Sequence, residues 1–337
     1  MKKSLVILVV LMMLAAMLTA CGQPKPTESA AQESTSTEPS ESADVESQEP
    51  GAEDKYVIGM TNANLANEHN AAYADAALAY AKATYPNVEL LIVDGAGSAD
   101  TQVAQCENFV AQGVDCVIML PYDAEGCQAG VQICLDAGIP VFTSKAQIAD
   151  QSMVPTFVGS NDVSAGEIEM NYIAELIGGK GNIAILEGPP GISAAVLRNE
   201  GIYNVLAKYP DIKVVFTQPA DWDRALAMQT TENWLQTGEE IKAIVAHNDE
   251  MALGAYDALV AAGLEDQIPV IGIDAIPAAL KSVSEGGLSA TVLQDAVAIG
   301  EKTVDVAVML AKGEKVDELY DIPFVLITPD TVANYLK

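Results

Sequence analysis

The polar residues that end successive apolar runs in this chain are mostly amides and carboxylates, with two aromatic rings among them. They are Asn62, Asn64 and Asn67, then Tyr122 and Asp123, Lys145, Ser160, Trp222, Asn248 with Asp249, and Asp274. Asp and Asn make paired hydrogen bonds to neighbouring hydroxyls, and a Trp face covers the apolar C–H side of a ring. That is the chemistry of gripping a neutral polyhydroxyl molecule. Motifs for covalent or metal chemistry are missing: the chain has no HExxH and no GxSxG, and only two His in all. Asp94-Gly95-Ala96-Gly97-Ser98 and Gly188-Pro189-Pro190-Gly191 look like phosphate loops, but neither completes GxGxxG, and no GxxxxGK[ST] occurs. Cys106, Cys116, Cys127 and Cys134 lie close together in the chain without CxxC spacing or an accompanying His, so neither zinc nor another metal is expected. Cys127 and Cys134 on one helix would stand roughly 10 Å apart along it, too far for a disulfide. Buried small side chains are their expected role.

The elements that must position the polar residues are legible as an alternation. Apolar runs such as Tyr56–Met60, Val88–Val93, Val114–Leu120, Pro140–Thr143, Thr156–Gly159, Asn182–Leu186, Lys213–Thr217, Ala243–Ala246 and Pro269–Ile273 read as strands. Amphipathic stretches such as His69–Tyr85, Ala99–Gln112, Ser193–Tyr209, Arg224–Thr237 and Met251–Ala262 read as helices. Strands apolar on both faces suit parallel sheets covered by helices on each side, which predicts a doubly wound α/β architecture. The periodic region is longer than one ordinary domain, so two lobes are expected. In such sheets ligands sit at the carboxyl ends of the strands, where the polar residues fall.

The N-terminus has a different logic. Lys2 and Lys3 precede an apolar stretch from Leu5 to Met17, and small residues lead to Leu18-Thr19-Ala20-Cys21. This is the layout of a cleaved export signal over 1–20, and Leu-Thr-Ala-Cys resembles the bacterial lipobox, which implies lipidation of Cys21. An uncleaved anchor is the alternative, but the apolar core falls short of the roughly 20 residues a spanning helix needs. Residues 21–54 are Ser, Thr, Glu and Pro with little to bury, and are expected to form a disordered acidic tether. With 17 Lys+Arg against 47 Asp+Glu the net charge is −30; nucleic acid and anionic lipid surfaces would repel such a chain.

From about Tyr56 onward the chain resembles the bacterial periplasmic sugar-binding proteins of the ribose- and galactose-binding type. The segments QPADWDRALA (from Gln218), HNDEMALGAYDAL (from His247), VIGIDAIPAAL (from Val270) and GGLSATVLQDA (from Gly286) occur in the family's order and spacing. The resemblance implies the type I periplasmic binding protein fold: two doubly wound parallel-sheet lobes joined by a three-strand hinge. Residues 55–160 with 295–322 would form the first lobe, and 161–294 with 323–337 the second. It also implies roles for Arg198, Trp222, Asn248, Asp274 and Gln294 as ligand-binding residues. Each has a structural alternative: Trp222 as core, Arg198 paired with a surface acid, Asp274 as cap of the helix from Pro277. In the first lobe Asn67, His69, Asn70, Lys145 and Ser160 are the expected contacts. Here the ribose pattern breaks, because His69 and Asn70 replace two phenylalanines and Thr143-Ser144-Lys145-Ala146 replaces an Asp-Arg pair. Lys145 could instead pair with Asp150. The calcium loop of galactose binders is also missing, since GGKGN (from Gly178) is too short to coordinate a metal.

The resemblance implies a monomeric, lipid-anchored receptor on the extracytoplasmic face of the cell membrane, needing no cofactor. It would hand a monosaccharide, polyol or cyclitol to an ABC importer permease. A sugar-sensing partner of a signalling receptor is the alternative, and an exported α/β enzyme a remoter one.

Overall fold

The computed structural model describes residues 54–336. The expected signal peptide, Cys21 and nearly all of the tether lie outside the described residues. Among these residues no helix is long and apolar enough to cross a membrane.

The first sheet is built from β1 (Tyr56–Asn62), β2 (Val88–Asp94), β3 (Cys116–Met119), β4 (Val141–Ser144), β5 (Phe157–Gly159) and β11 (Leu319–Asp321). Its order is β11-β5-β4-β3-β1-β2, parallel throughout. The second sheet holds β6 (Gly181–Glu187), β7 (Ile212–Pro219), β8 (Ala243–Ala246), β9 (Val270–Asp274), β10 (Ala290–Leu293) and β12 (Val325–Ile327). Its order is β12-β10-β9-β8-β6-β7, with only the edge strand β12 antiparallel. These are the two α/β lobes the sequence predicts. The chain passes from one sheet to the other after β5, after β10 and between β11 and β12.

Helices cover both faces of each sheet. Strands β3, β4, β8 and β9 are buried at every residue. The two-residue period sends alternate side chains to opposite layers. In β3, Cys116 and Ile118 meet Tyr73 and Ala77 of α1 (Glu68–Thr84) and Ile299 and Val304 of α9 (Ala296–Ala311). Val117 and Met119 meet Phe109 of α2 (Ala99–Gln112) and Val131 of α3 (Gln128–Asp136). In β8, Ile244 and Ala246 face Trp234 of α6 (Arg224–Gln236) and Leu259 of α7 (Asp249–Ala262). Ala243 and Val245 face Met170 of α4 (Asp162–Leu176) and Ile202 of α5 (Ser193–Leu206). The second lobe also holds α8 (Pro277–Ser284). The four internal cysteines are buried free thiols in the first-lobe core, as expected, although Cys127 precedes α3 rather than lying within it.

Helices α4 and α5 cross at backbone contact. A Cβ on Gly166 would lie 2.0 Å from the Arg198 main-chain oxygen, and one on Gly201 would lie 2.0 Å from that of Val163. This approach brings the first residue of α4, Asp162, against Arg198. Gly166→Val should therefore force the helices apart and destabilise the chain by about 1–3 kcal/mol, read as a lower urea midpoint. An unchanged midpoint would contradict this account of the crossing.

Candidate ligand-binding site

A cavity opens between the carboxyl ends of the two sheets. Asn67, Asn70 and Lys145 line it from the first sheet, Arg198, Trp222, Asn248 and Asp274 from the second, and Gln294 from the segment that crosses between them. Eight of the expected contact residues are thus brought together, with Ala63, Leu120, Pro121, Ala146, Ile192 and Ala194 as apolar filler. His69 and Ser160 are not among the lining residues. His69 lies behind Lys145, and the Ser160 hydroxyl is buried without a hydrogen-bond partner. Asn64 and Tyr122 line a neighbouring hollow that shares Asn67, Asn70 and Trp222 with the cavity.

On the second lobe, strained backbone aims the side chains. Asp274 has φ 126° and Ala275 φ 57°, conformations that cost on the order of 1–3 kcal/mol each in L residues. Asp249 holds this turn. Its carboxylate accepts from Ile276 N at 3.0 Å and from the Thr291 hydroxyl at 2.7 Å, while Thr291 Oγ1 accepts from Ala275 N at 3.2 Å. Asp249 is therefore an interior brace rather than a ligand contact. Asp274 does not cap α8, whose N-cap is Ile276. Asn248 caps α7 by accepting from Met251 N at 3.0 Å through Oδ1 and also lines the cavity.

Trp222 follows Asp221, and both have positive φ (61° and 53°). The indole packs partly on the core and crosses Gly188 so closely that a Cβ there would lie 2.1 Å from the ring. Arg198 is buried. Its Nε donates to Asp162 at 2.9 Å, Nη1 donates to the His247 carbonyl, and its guanidinium lies 5.7 Å from the Trp222 ring centroid and 5.8 Å from that of Phe324. The partner of Arg198 is thus a buried acid, not a surface one.

The first-lobe wall is an amide network. Asn67 caps α1 by accepting from Asn70 N at 3.0 Å. Asn62 donates to the Asn70 carbonyl at 3.2 Å, and Asn70 Nδ2 donates to that of Asn64 at 3.2 Å. Lys145 sits at φ 65° in a tight turn closed by Ala146 N donating to the Ser144 carbonyl at 2.8 Å. Its ammonium donates to Asn70 Oδ1 at 2.6 Å and to His69 Nδ1 at 2.7 Å. It does not pair with Asp150, which instead takes two bonds from Ser152. The lobes also touch directly: Ala124 N donates to the Gly191 carbonyl at 3.0 Å, and Gln147 N to Ser193 Oγ at 2.8 Å.

Burial dominates the electrostatics. It pushes the Asp274 carboxyl up to about 6 despite Arg198 and Lys145, and lowers the Lys145 amine to about 8 despite Asp274. It holds His69 well below the usual imidazole value, helped by Lys145, so His69 is neutral and its 3.8 Å approach to Asp274 is no ion pair. Sequence reading missed Asp162, Glu169 and His247. Glu169 is buried with neither oxygen hydrogen-bonded, and burial holds its carboxyl well above the ordinary range.

The buried Glu169 carboxyl makes stability depend on pH. A carboxyl whose folded value is raised keeps a proton that the unfolded chain releases, so its stability contribution is full below the unfolded value and lost as pH rises through the folded one. Asp249 and Asp274 are shifted the same way. His69 and His247, both lowered, oppose them by losing stability as pH falls through the unfolded imidazole value. Glu169→Gln keeps a neutral side chain of the same shape. Relative to wild type it should flatten the loss of stability between pH 5 and 8, by at most about 1.4 kcal/mol per pH unit. Parallel urea-derived stability curves for the two proteins would contradict the protonated-carboxyl assignment.

This geometry has known counterparts. A family model described as "Periplasmic binding protein domain" matches residues 58–315. The putative rhizopine-binding protein of Rhizobium meliloti is 37% identical over 262 residues, 76% of this chain and 84% of that protein. The xylitol-binding protein of Mycolicibacterium smegmatis is 39% identical over 256 residues, 75% of this chain and 72% of that protein. The crystal structure of an ABC transporter solute-binding protein from Bacillus halodurans with bound myo-inositol superposes with a TM-score of 0.81 at 40% identity. It covers 85% of this chain and 98% of that one. Two wound α/β lobes, a polar cavity at their strand ends and these matches lead to one statement: the chain belongs to the periplasmic binding protein family, a family of solute receptors rather than enzymes.

Proposed function

We propose that the chain captures a neutral cyclitol, polyol or monosaccharide by lobe closure and delivers it to an ABC importer. The observation that carries this reading is the convergence of Asn67, Asn70, Lys145, Arg198, Asn248, Asp274 and Gln294 around one indole face. That set offers hydrogen-bond donors and acceptors on several sides of one small space. The cavity has a volume of about 70 Å³, several times the roughly 10–15 Å³ that one water requires, a scale suited to a single small ring.

Charge balance favours a neutral ligand. Asp274 faces Lys145 and Asp162 is bonded to Arg198, so the weakly anionic sugar that Lys145 alone suggests would bring an uncompensated charge. The xylitol and myo-inositol in the names of the similar proteins support the same class. The lobes, 55–160 with 295–322 and 161–294 with 323–337, would turn about the crossings near Ser160, Gln294 and Pro323. Only contacts made by both lobes bias such an equilibrium toward closure. Processing at Cys21 would tether the receptor to the outer face of the membrane.

Two experiments test this reading. In a thermal-shift panel of myo-inositol, xylitol, ribose and glucuronate, a neutral polyol should stabilise most, by about 2.7 kcal/mol at roughly 100 times its Kd. Asp274→Asn should weaken that ligand on the order of tenfold or more. A response to glucuronate alone, or full affinity in the Asp274 variant, would sink the proposal. For the anchor, Cys21→Ala should release the protein from membranes in carbonate washes with its lobes folded, whereas unchanged retention would exclude lipidation at this position.

A further inference from the structure

We infer that His69 is a positioning residue that ties the aim of the Lys145 ammonium to the inter-lobe segment at Gln294, and makes no ligand contact of its own. This inference rests on reading the cavity as a polyol site. His69 is 5% exposed and stands behind the lining residues. Its Nε2 lies 2.8 Å from the Gln294 main-chain oxygen. A carbonyl only accepts, so Nε2 carries the hydrogen and Nδ1 carries the lone pair. Nδ1 in turn lies 2.7 Å from Lys145 Nζ and accepts from it.

An ammonium has three N–H groups. His69 Nδ1 takes one and Asn70 Oδ1 takes another, which leaves the last for the cavity that Lys145 lines. In the neutral amine the same two acceptors claim both remaining N–H groups, and a lone pair faces the ligand instead. Lys145 thus presents a directed donor only while protonated and held by His69. The other charges facing it are Asp274 and Asp162, which favour the ammonium, and Arg198, which opposes it.

The far side of the imidazole is fixed to the crossing. Gln294 follows Leu293, which is in register with Asp274, and precedes Asp295, whose carboxylate caps α9 by accepting from Val297 N and Ala298 N at 3.1 and 3.0 Å. The Gln294 carbonyl is therefore set by the β10–α9 crossing. A movement of that crossing reaches Lys145 through the ring, so the first-lobe donor is aligned when the crossing takes the position seen here.

Three substitutions separate the two halves of this role. His69→Asn places an amide oxygen near the position of Nδ1, His69→Gln an amide nitrogen near that of Nε2, and His69→Leu keeps bulk only. One readout needs no ligand: titration of the Lys145 ¹³Cε resonance in the purified protein, assigned by its loss in Lys145→Arg. The midpoint near 8 in wild type should persist in His69→Asn and fall by about one unit in His69→Gln and His69→Leu, where the ammonium has lost an acceptor. The other readout is myo-inositol affinity from pH 6.5 to 9.5 by calorimetry. Wild type and His69→Asn should weaken above about pH 8, whereas His69→Gln and His69→Leu should be roughly fivefold weaker already at pH 8, because a midpoint one unit lower leaves about a tenth instead of half of the amines protonated there. One Lys145 midpoint common to all four proteins overturns the inference, whatever binds. Absence of myo-inositol binding to wild type, with the midpoints moving as stated, removes that ligand and leaves the role of His69 standing.

Discussion

The buried guanidinium of Arg198 is the interaction on which the binding lobe depends. It joins parts of the chain that share no local sequence: Asp162 at the start of α4, the His247 carbonyl at the end of β8, the Trp222 ring after β7 and the Phe324 ring beside β12. Removing one member of a buried ion pair leaves the other charge uncompensated, at a cost of about 3–5 kcal/mol. Asp162 is thereby as necessary to the cavity wall as Arg198, although it does not reach the cavity. The glycines of α4 and α5 serve the same contact, because only backbone-to-backbone packing brings the two residues within 2.9 Å.

Much of the architecture was legible because parallel strands buried on both faces leave continuous apolar runs, and because helices between them keep their own period. The lining of the candidate cavity was legible by position: residues that end strands fall at the cleft, and Asn248, Asp274 and Lys145 line it. The edge strands β11 and β12 are not legible in the same way, since each is only three residues long and partly exposed. Asp162 and Glu169 were also hidden. Next to Asn161, Asp162 looks like an ordinary acid in a first helical turn, and Glu169 like one more solvated helix residue. Only the tertiary fold shows that both are buried. His69 shows the limit of transferring a role by position, since a ring at the place of a contact residue is instead turned to the backbone of the crossing strand.

Backbone strain is the other thing a sequence of L residues conceals. Glycine would advertise a left-handed conformation, but Lys145, Trp222 and Asp274 adopt positive φ with full side chains. Each sits in a turn closed by hydrogen bonds from neighbouring elements, so the stability of the lobes maintains conformations the local sequence disfavours. The cleft therefore holds its most chemically informative side chains in fixed directions before anything enters, which limits the ordering entropy that binding must overcome.

The threading of the chain has a consequence for its synthesis. Helix α9 supplies Ala296, Ile299, Val304 and Ala307 to the core of the first lobe, and β11 completes its sheet, yet both follow the ten strands that precede them in the chain. A ribosome that has released residues 54–160 has made a lobe with one apolar face of its sheet only partly covered. That face stays open until most of the second lobe has also emerged. Folding of the first lobe is thus a late, long-range event, slow in the manner of high-contact-order topologies.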